Sequence, residues 1–190
     1  MKKIFILILG LMALSILMIG CNSTKDINDN SSKDLNINNV IEYKGSLVGN
    51  NSAVSNILHN CPGCIFIKDI SLNVRRQPYE INIIYKENFN LKEKDLNNYW
   101  NEITLKKVFL SNATTLFILI KNVDRVTFSL DSATQKTLTI TRKDVEKFYG
   151  KDLTQYARNE SLWQKEILND ILKSKDRIES FYKIHTIKSK

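Results

Sequence analysis

Apolar positions along this chain fall into blocks with two different periods, and the clearest change of period lies near its middle. From Leu110 to Leu130 the sequence reads LSNATTLFILIKNVDRVTFSL. Leu116 to Ile120 is an unbroken apolar run, which an exposed helix would not carry. Phe109, Ala113, Leu116, Phe117 and Ile120 recur at the spacing of a helix with one wide buried face. The helix is expected to start near Tyr99-Trp100 and reach Lys121, or to break at Ser111, a competent N-cap. Asn122 is suited to close it in a left-handed conformation. Then the period drops to two. Val126, Phe128 and Leu130 alternate with Arg125, Thr127 and Ser129, which predicts a strand over 125–130 with one wet face.

The flanking blocks repeat these patterns. Val54, Ile57 and Leu58 form the apolar face of a short helix, capped by Asn51 or Ser52 and ended by His59-Asn60. Cys61-Pro62-Gly63-Cys64 turns the chain. Ile70, Leu72 and Val74 predict a first strand, and Tyr79, Ile81, Ile83 and Tyr85 a second, joined as a hairpin through Arg76-Gln77-Pro78. Residues 88–98 are polar and read as a loop with a helical turn. Leu138 and Ile140 mark a fourth strand after the turn at 131–136. Thr141 should cap a helix with Asp144 in its first turn, with Val145, Phe148 and Tyr149 inward and Gly150 at its end. Trp163, Ile167, Leu168, Ile171 and Leu172 stripe a last helix, and residues 174–190 form a weakly structured basic tail. Every strand has one apolar face. The expectation is therefore an α+β fold: an antiparallel four-stranded sheet made of two hairpins, with helices packed on one face.

The 190 residues suffice for one domain with a real core. The net charge of +8 fits nucleic acid, an anionic surface or mere solubility, and the N-terminus decides among them. Met1-Lys2-Lys3 is positive, Ile4 to Ile19 is almost wholly apolar, and Gly20-Cys21 follows. This is the layout of a secretory signal. The apolar run is shorter than the roughly 20 residues that span a bilayer. A cysteine after a small residue at the cleavage point resembles the lipobox of bacterial lipoproteins. That resemblance implies a signal peptide at 1–20, with Cys21 the acylated first residue of the mature chain, held at the extracytoplasmic face of the cell membrane. Two acyl chains hold a soluble domain where one would be marginal. Residues 21–39 are polar, with three isolated aliphatics after the cysteine, and read as a disordered tether with a reach of roughly 20–25 Å. The folded part should run over 40–155, followed by a C-terminal helix and basic tail at 156–190. In this location nucleic acid is not an expected partner; lipid headgroups and wall polymers are the anions at hand.

Four segments together resemble a known family. They are Tyr43-Lys44 with Val48 to Leu58, Pro78 to Ile83, Asn112 to Asp124, and Phe148 to Leu153. In order and character they resemble the domain-of-unknown-function family 4825, over about residues 40–155. Its members are usually secreted or membrane-anchored proteins of Firmicutes, and the abundance of Ile, Lys and Asn, whose codons are AT-rich, fits such a low-GC source. Some members look like extracytoplasmic appendages of beta-lactam-sensor-type membrane metalloproteases. The resemblance implies no activity and no site residues. This chain departs from the family pattern at Asn50, where Asp is common, and at Cys61-Pro62-Gly63-Cys64, where an apolar-Pro turn without cysteine is usual.

That cysteine pair is the sharpest chemical signal. Cys-x-x-Cys can be a redox pair, half a zinc site or a structural staple. A thioredoxin-like pair sits at a helix N-terminus, which lowers its thiol pKa. Here the order is helix, CPGC, strand. Zinc wants four ligands, and His59, Cys61 and Cys64 supply three, with His185 far along the chain. The staple fits best, because Pro62 and Gly63 suit a type II turn that brings Cys61 and Cys64 together into a disulfide; free thiols remain an alternative. There is no nucleophile-elbow pattern, no His-Glu-x-x-His and no phosphate-binding glycine loop. Glu42, Asp69 and Glu80 have no spacing that pairs them as acid and base. Trp100 and Trp163 lie on helical stripes and read as core. The expectation is a non-enzymatic, membrane-tethered module without cofactor or metal that binds an extracytoplasmic ligand or protein partner, sensory by family analogy. The alternative is an extracytoplasmic thiol-redox protein using Cys61 and Cys64.

Overall fold

The computed structural model describes residues 34–87 and 99–190. The expected signal peptide, Cys21, most of the expected tether and the expected loop at 88–98 lie outside the described residues. The elements are α1 (Asn51–His59), β1 (Ile67–Asn73), β2 (Glu80–Lys86), α2 (Glu102–Leu119), β3 (Arg125–Asp131), β4 (Lys136–Thr141), α3 (Arg142–Tyr149) and α4 (Thr154–Arg158). A short turn, Glu160–Leu162, runs on as a π-helix, Trp163–Ile171, and the two together are α5; α6 (Lys175–Tyr182) and β5 (Lys188–Ser189) end the chain.

Helix α2 is the centre of the molecule. Asn101 caps it, its side chain accepting from the Thr104 amide at 3.0 Å. It is unbroken at Ser111 and ends at Leu119. The expected single buried face is in fact burial on all sides, from Val108 to Leu119. A helix this apolar all round can only be a core helix. Asn122 does not close it, since no described residue other than glycine has a positive φ. Its side-chain oxygen instead accepts from the Val48 amide at 2.8 Å, tying the start of the domain to the end of the helix.

The fold is α+β as expected, but the sheet is mixed and five-stranded, in the order β1-β2-β3-β4-β5. β1/β2, β3/β4 and β4/β5 are antiparallel, whereas β2 and β3 pair in parallel from Glu80↔Arg125 to Lys86↔Asp131. The two predicted hairpins are thus joined side by side by a parallel seam. Parallel neighbours need a long crossover, and α2 supplies it. On the core face Ile81, Ile83, Tyr85, Val126, Phe128, Leu130, Leu138 and Ile140 are buried. Phe109 of α2 stacks on Phe128 with ring centroids 4.7 Å apart and on Tyr85 at 6.0 Å.

Other boundaries also shift. Asn50, not Asn51 or Ser52, caps α1 through a bond from the Ala53 amide at 3.0 Å. Thr141 and Asp144 form the expected capping box of α3, and Gly150 closes that helix at φ 71°. The polar stretch expected to be tether up to residue 39 is already folded at its end. Leu35 and Ile37 are each 5% exposed, and Asp34 pairs with Lys107 at 2.8 Å. Two of the isolated aliphatics suffice, because Leu35 drops in beside Pro62, Leu168 and Leu172. The basic tail is likewise ordered. Ile178, Phe181 and Tyr182 are buried on α6, and β5 extends the sheet. The Leu172 amide donates to the Ile167 carbonyl at 2.9 Å, the five-residue reach of the π-helix. Lys151 clasps this helix by donating to both oxygens of Glu166 at 2.7 Å, and the Tyr156 hydroxyl donates to Glu166 at 2.9 Å.

Candidate functional site

Two places collect chemistry. The first is the cysteine turn. The Cys61 amide donates to the Leu58 carbonyl at 3.1 Å, so the turn starts directly off the C-terminal end of α1. The Cys64 amide donates back to the Cys61 carbonyl at 3.2 Å, and Gly63 has φ 77° and ψ 8°. These are the features of the expected type II turn. Only glycine suits this place. Its φ is left-handed, and a Cβ there would lie 3.3 Å from both Trp100 and Val108.

Beneath the turn lies a buried polar cluster that sequence reasoning missed. Asn112 of α2 is fully buried and donates from Nδ2 to the Pro62 carbonyl at 2.9 Å and to the Tyr85 hydroxyl at 3.0 Å. Its Oδ1 is buried with no hydrogen-bond partner among the described residues. Cys61 and Cys64 are both thiols. Burial pushes the Cys61 thiol far up, and the neighbouring Cys64 adds to the shift. Burial also raises Cys64, which is half-buried. Tyr85 is raised by burial as well, with the bond from Asn112 pulling partly back. An activated thiolate needs the opposite environment. His59 lies at the rim. Its Nδ1 sits 2.7 Å from the Ser55 carbonyl, which can only accept, so that bond needs a proton on Nδ1. Among the described residues no three of His, Cys, Asp and Glu come close enough to hold a metal ion. His185 stacks on Phe181 at 4.2 Å.

The second place is an open cleft of about 580 Å³ where the β1–β2 turn meets the start of α3, lined by Gln77, Pro78, Asp124, Arg125, Lys143 and Glu146. Most of its polar groups are committed to the fold. Asp124 accepts from the Tyr79 amide at 2.6 Å. Arg125 donates to Glu80 at 3.0 Å across the parallel seam, and Thr127 donates to the other Glu80 oxygen at 2.6 Å. Arg142, at the back, donates to the carbonyls of Val123, Phe117 and Ile120 at 3.0, 2.7 and 2.6 Å. It thereby satisfies carbonyls at and just beyond the C-terminal end of α2, where a cation also meets the helix dipole favourably. Lys143 is exposed, and among the described residues no hydrogen bond or ion pair holds its side chain. Glu80, singled out in the sequence only as unpaired, is held by Arg125 and Thr127. Nothing in the sequence marks Arg142 or Asn112, since their importance arises from elements brought together by folding. Trp100 and Trp163 are core residues, as expected, at 8% and 0% exposure. Trp100 Nε1 donates to the Lys86 carbonyl at 3.1 Å.

Architecture and sites together define an α+β domain with a mixed five-stranded sheet and one helix buried all round. The chain belongs to the family described as Domain of unknown function (DUF4825), matched over residues 40–141, which is more than half of its length. Searches among curated proteins and among solved structures returned no match. No described helix is long and apolar enough to cross a membrane.

Proposed function

We propose that this protein is a lipoprotein tethered at the extracytoplasmic face of the membrane through Cys21, and that its domain binds a ligand or protein partner without chemical turnover. The anchor rests on the basic, apolar and Gly20-Cys21 succession at the N-terminus. The binding role rests on the cleft of about 580 Å³ beside α3. That cleft presents the exposed Lys143 near Glu146, with Arg125 and Asp124 lining it while bonded to Glu80 and to the Tyr79 amide. Charges of both signs on one open wall suit a zwitterionic peptide or wall fragment better than a purely anionic polymer. The rival thiol-redox reading draws on Cys61 and Cys64. It is weakened by the burial that raises both thiols and by the C-terminal helix end behind Cys61.

Membrane fractionation of cells expressing Cys21→Ser tests the anchor. The variant should leave the membrane fraction or keep its signal peptide, and an unmodified Cys21 thiol in membrane-bound wild type would sink the assignment. Calorimetric titration of the full chain in detergent with zwitterionic cell-wall peptides tests the binding role. Heat of binding that is lost in Lys143→Gln is expected. No binding, together with turnover in an insulin-reduction assay, would hand the function to the cysteine pair.

A further inference from the structure

The cysteine turn carries an inference that does not depend on the binding role. Cys61 and Cys64 line one small cleft of about 70 Å³, whose rim includes Asp34, Asn36, His59 and Asn60. The two residues are positions one and four of a hydrogen-bonded turn, which holds their Cα atoms within roughly 7 Å, the span a disulfide bridges. They differ in access. Cys61 is 2% exposed, whereas Cys64 is only half-buried, and both line the cleft. In the usual Cys-x-x-Cys arrangement the first cysteine is the accessible one, at a helix N-terminus. Here the chain enters the turn from a helix C-terminus, and the roles are exchanged.

We propose that Cys61 and Cys64 are an oxidisable dithiol closed by exchange with a disulfide-bearing oxidant, with Cys64 the sulfur that meets the oxidant and Cys61 the sulfur that completes the bridge. The Cys64 thiol loses its proton and attacks one sulfur of the oxidant R–S–S–R. The oxidant's S–S bond breaks, a bond forms between Cys64 and one R–S group, and the other leaves and is protonated to R–SH. Cys61 then gives up its proton and attacks the Cys64 sulfur, forming the Cys61–Cys64 bond and releasing the second R–SH. The two cysteines lose two electrons and two protons, and the oxidant gains them as two thiols. The slow second step is matched to its setting, because Cys61 is already in place beside the mixed disulfide and needs no second encounter.

The test uses the reduced full chain with oxidised glutathione as the probe, read by mass spectrometry of peptides that separate Cys21 from the pair. Wild type should lose two thiols and two hydrogens and retain no glutathione on Cys61 or Cys64. Cys61→Ser should accumulate one glutathione on Cys64. Cys64→Ser should be modified at Cys61 at least about tenfold more slowly, as the thiol's access is lost. Two separate adducts on wild type, or two thiols that persist, would overturn the pair. Equal rates in the two variants would overturn the order. Should either variant lack the wild-type circular dichroism spectrum, brief alkylation of native reduced wild type decides the order instead: Cys64 labelled first supports it, and Cys61 labelled first refutes it.

Discussion

Removing the Arg142 fork should destabilise the domain by about 3 kcal/mol, taking each of its three bonds at about 1 kcal/mol. Its guanidinium donates to Val123, Phe117 and Ile120 carbonyls at 3.0, 2.7 and 2.6 Å and lies 5.3 Å from the Phe117 ring centroid. Bonds from a charged donor reach about 1.5–3 kcal/mol each, but the lower figure applies here because the side chain is 17% exposed at the back of an open cleft. Water can follow the deleted group in and re-solvate the carbonyls, and the three bonds share one group and do not add independently. Arg142→Met keeps the stem over Phe117 and isolates the loss of the fork. Arg142→Lys keeps the charge at the helix end but offers a point donor in place of the planar fork, so it should lose about 2 kcal/mol. Urea unfolding followed by far-ultraviolet circular dichroism reads both, with the midpoint falling and the slope unchanged. Arg142→Met within about 0.5 kcal/mol of wild type, the ordinary range of an inconsequential surface change, would refute the reasoning. Arg142→Lys equal to wild type would show that charge, rather than the three directed bonds, does the holding.

Phe117 has no exposed surface, so Phe117→Ala should cost on the order of 3–5 kcal/mol, and a melting curve close to wild type would show that the core is drawn wrongly. Burial raises Cys61, Tyr85, Tyr149 and Tyr182, so the folded state favours their neutral forms. The stability this contributes is full below the unfolded-chain values, about 8.5 for Cys and 10 for Tyr, and is lost as pH rises beyond them toward the raised folded values. Tyrosinate absorbance from these three tyrosines should therefore appear together with alkaline unfolding; its appearance near pH 10, roughly the free value, in a chain whose circular dichroism is intact would contradict this.

The sequence is legible wherever one periodicity acts alone. The alternation at Val126, Phe128 and Leu130 places β3 correctly, and Thr141 with Asp144 and Gly150 brackets α3 at both ends. Strand direction is another matter. Alternation reports which face is wet and says nothing about the neighbour's direction, so two hairpins linked by a helix look alike whether their inner strands run parallel or antiparallel. The parallel seam depends on α2 carrying the chain back along the sheet before Arg125 enters beside Glu80. The ordered end of the expected tether escaped notice for a related reason. Leu35 and Ile37 make no pattern of their own, and Leu35 is buried in a groove built from residues far along the chain. The cysteine turn was readable in shape from Pro62 and Gly63 alone, but the unequal access of its two thiols is a product of packing.

The polar residues inside α2 offered only an alternative break at Ser111, and their placement explains why such a helix carries them. A helix buried on every side has no wet face to fix its rotation, which leaves the setting to its packing and to directed bonds. Asn112 reaches the Cys61–Cys64 turn through the Pro62 carbonyl and β2 through Tyr85. Two residues on, Thr114 donates to the Leu110 carbonyl at 2.7 Å and lies 3.0 Å from the Tyr149 hydroxyl of α3. Thr115 donates to the Ser111 carbonyl at 2.9 Å, satisfying its hydroxyl within the helix. Asn112 and Thr114 are about 200° apart around the helix axis, at 3.6 residues per turn. Their partners therefore grip it from nearly opposite sides, and no rotation improves one without breaking the other. The buried Asn112 Oδ1 is the cost of this arrangement, about 1–3 kcal/mol for an acceptor left without a partner. The cysteine turn is thus part of the device that sets the core helix, which is why closing it with a disulfide would tighten the domain at its centre rather than at its surface.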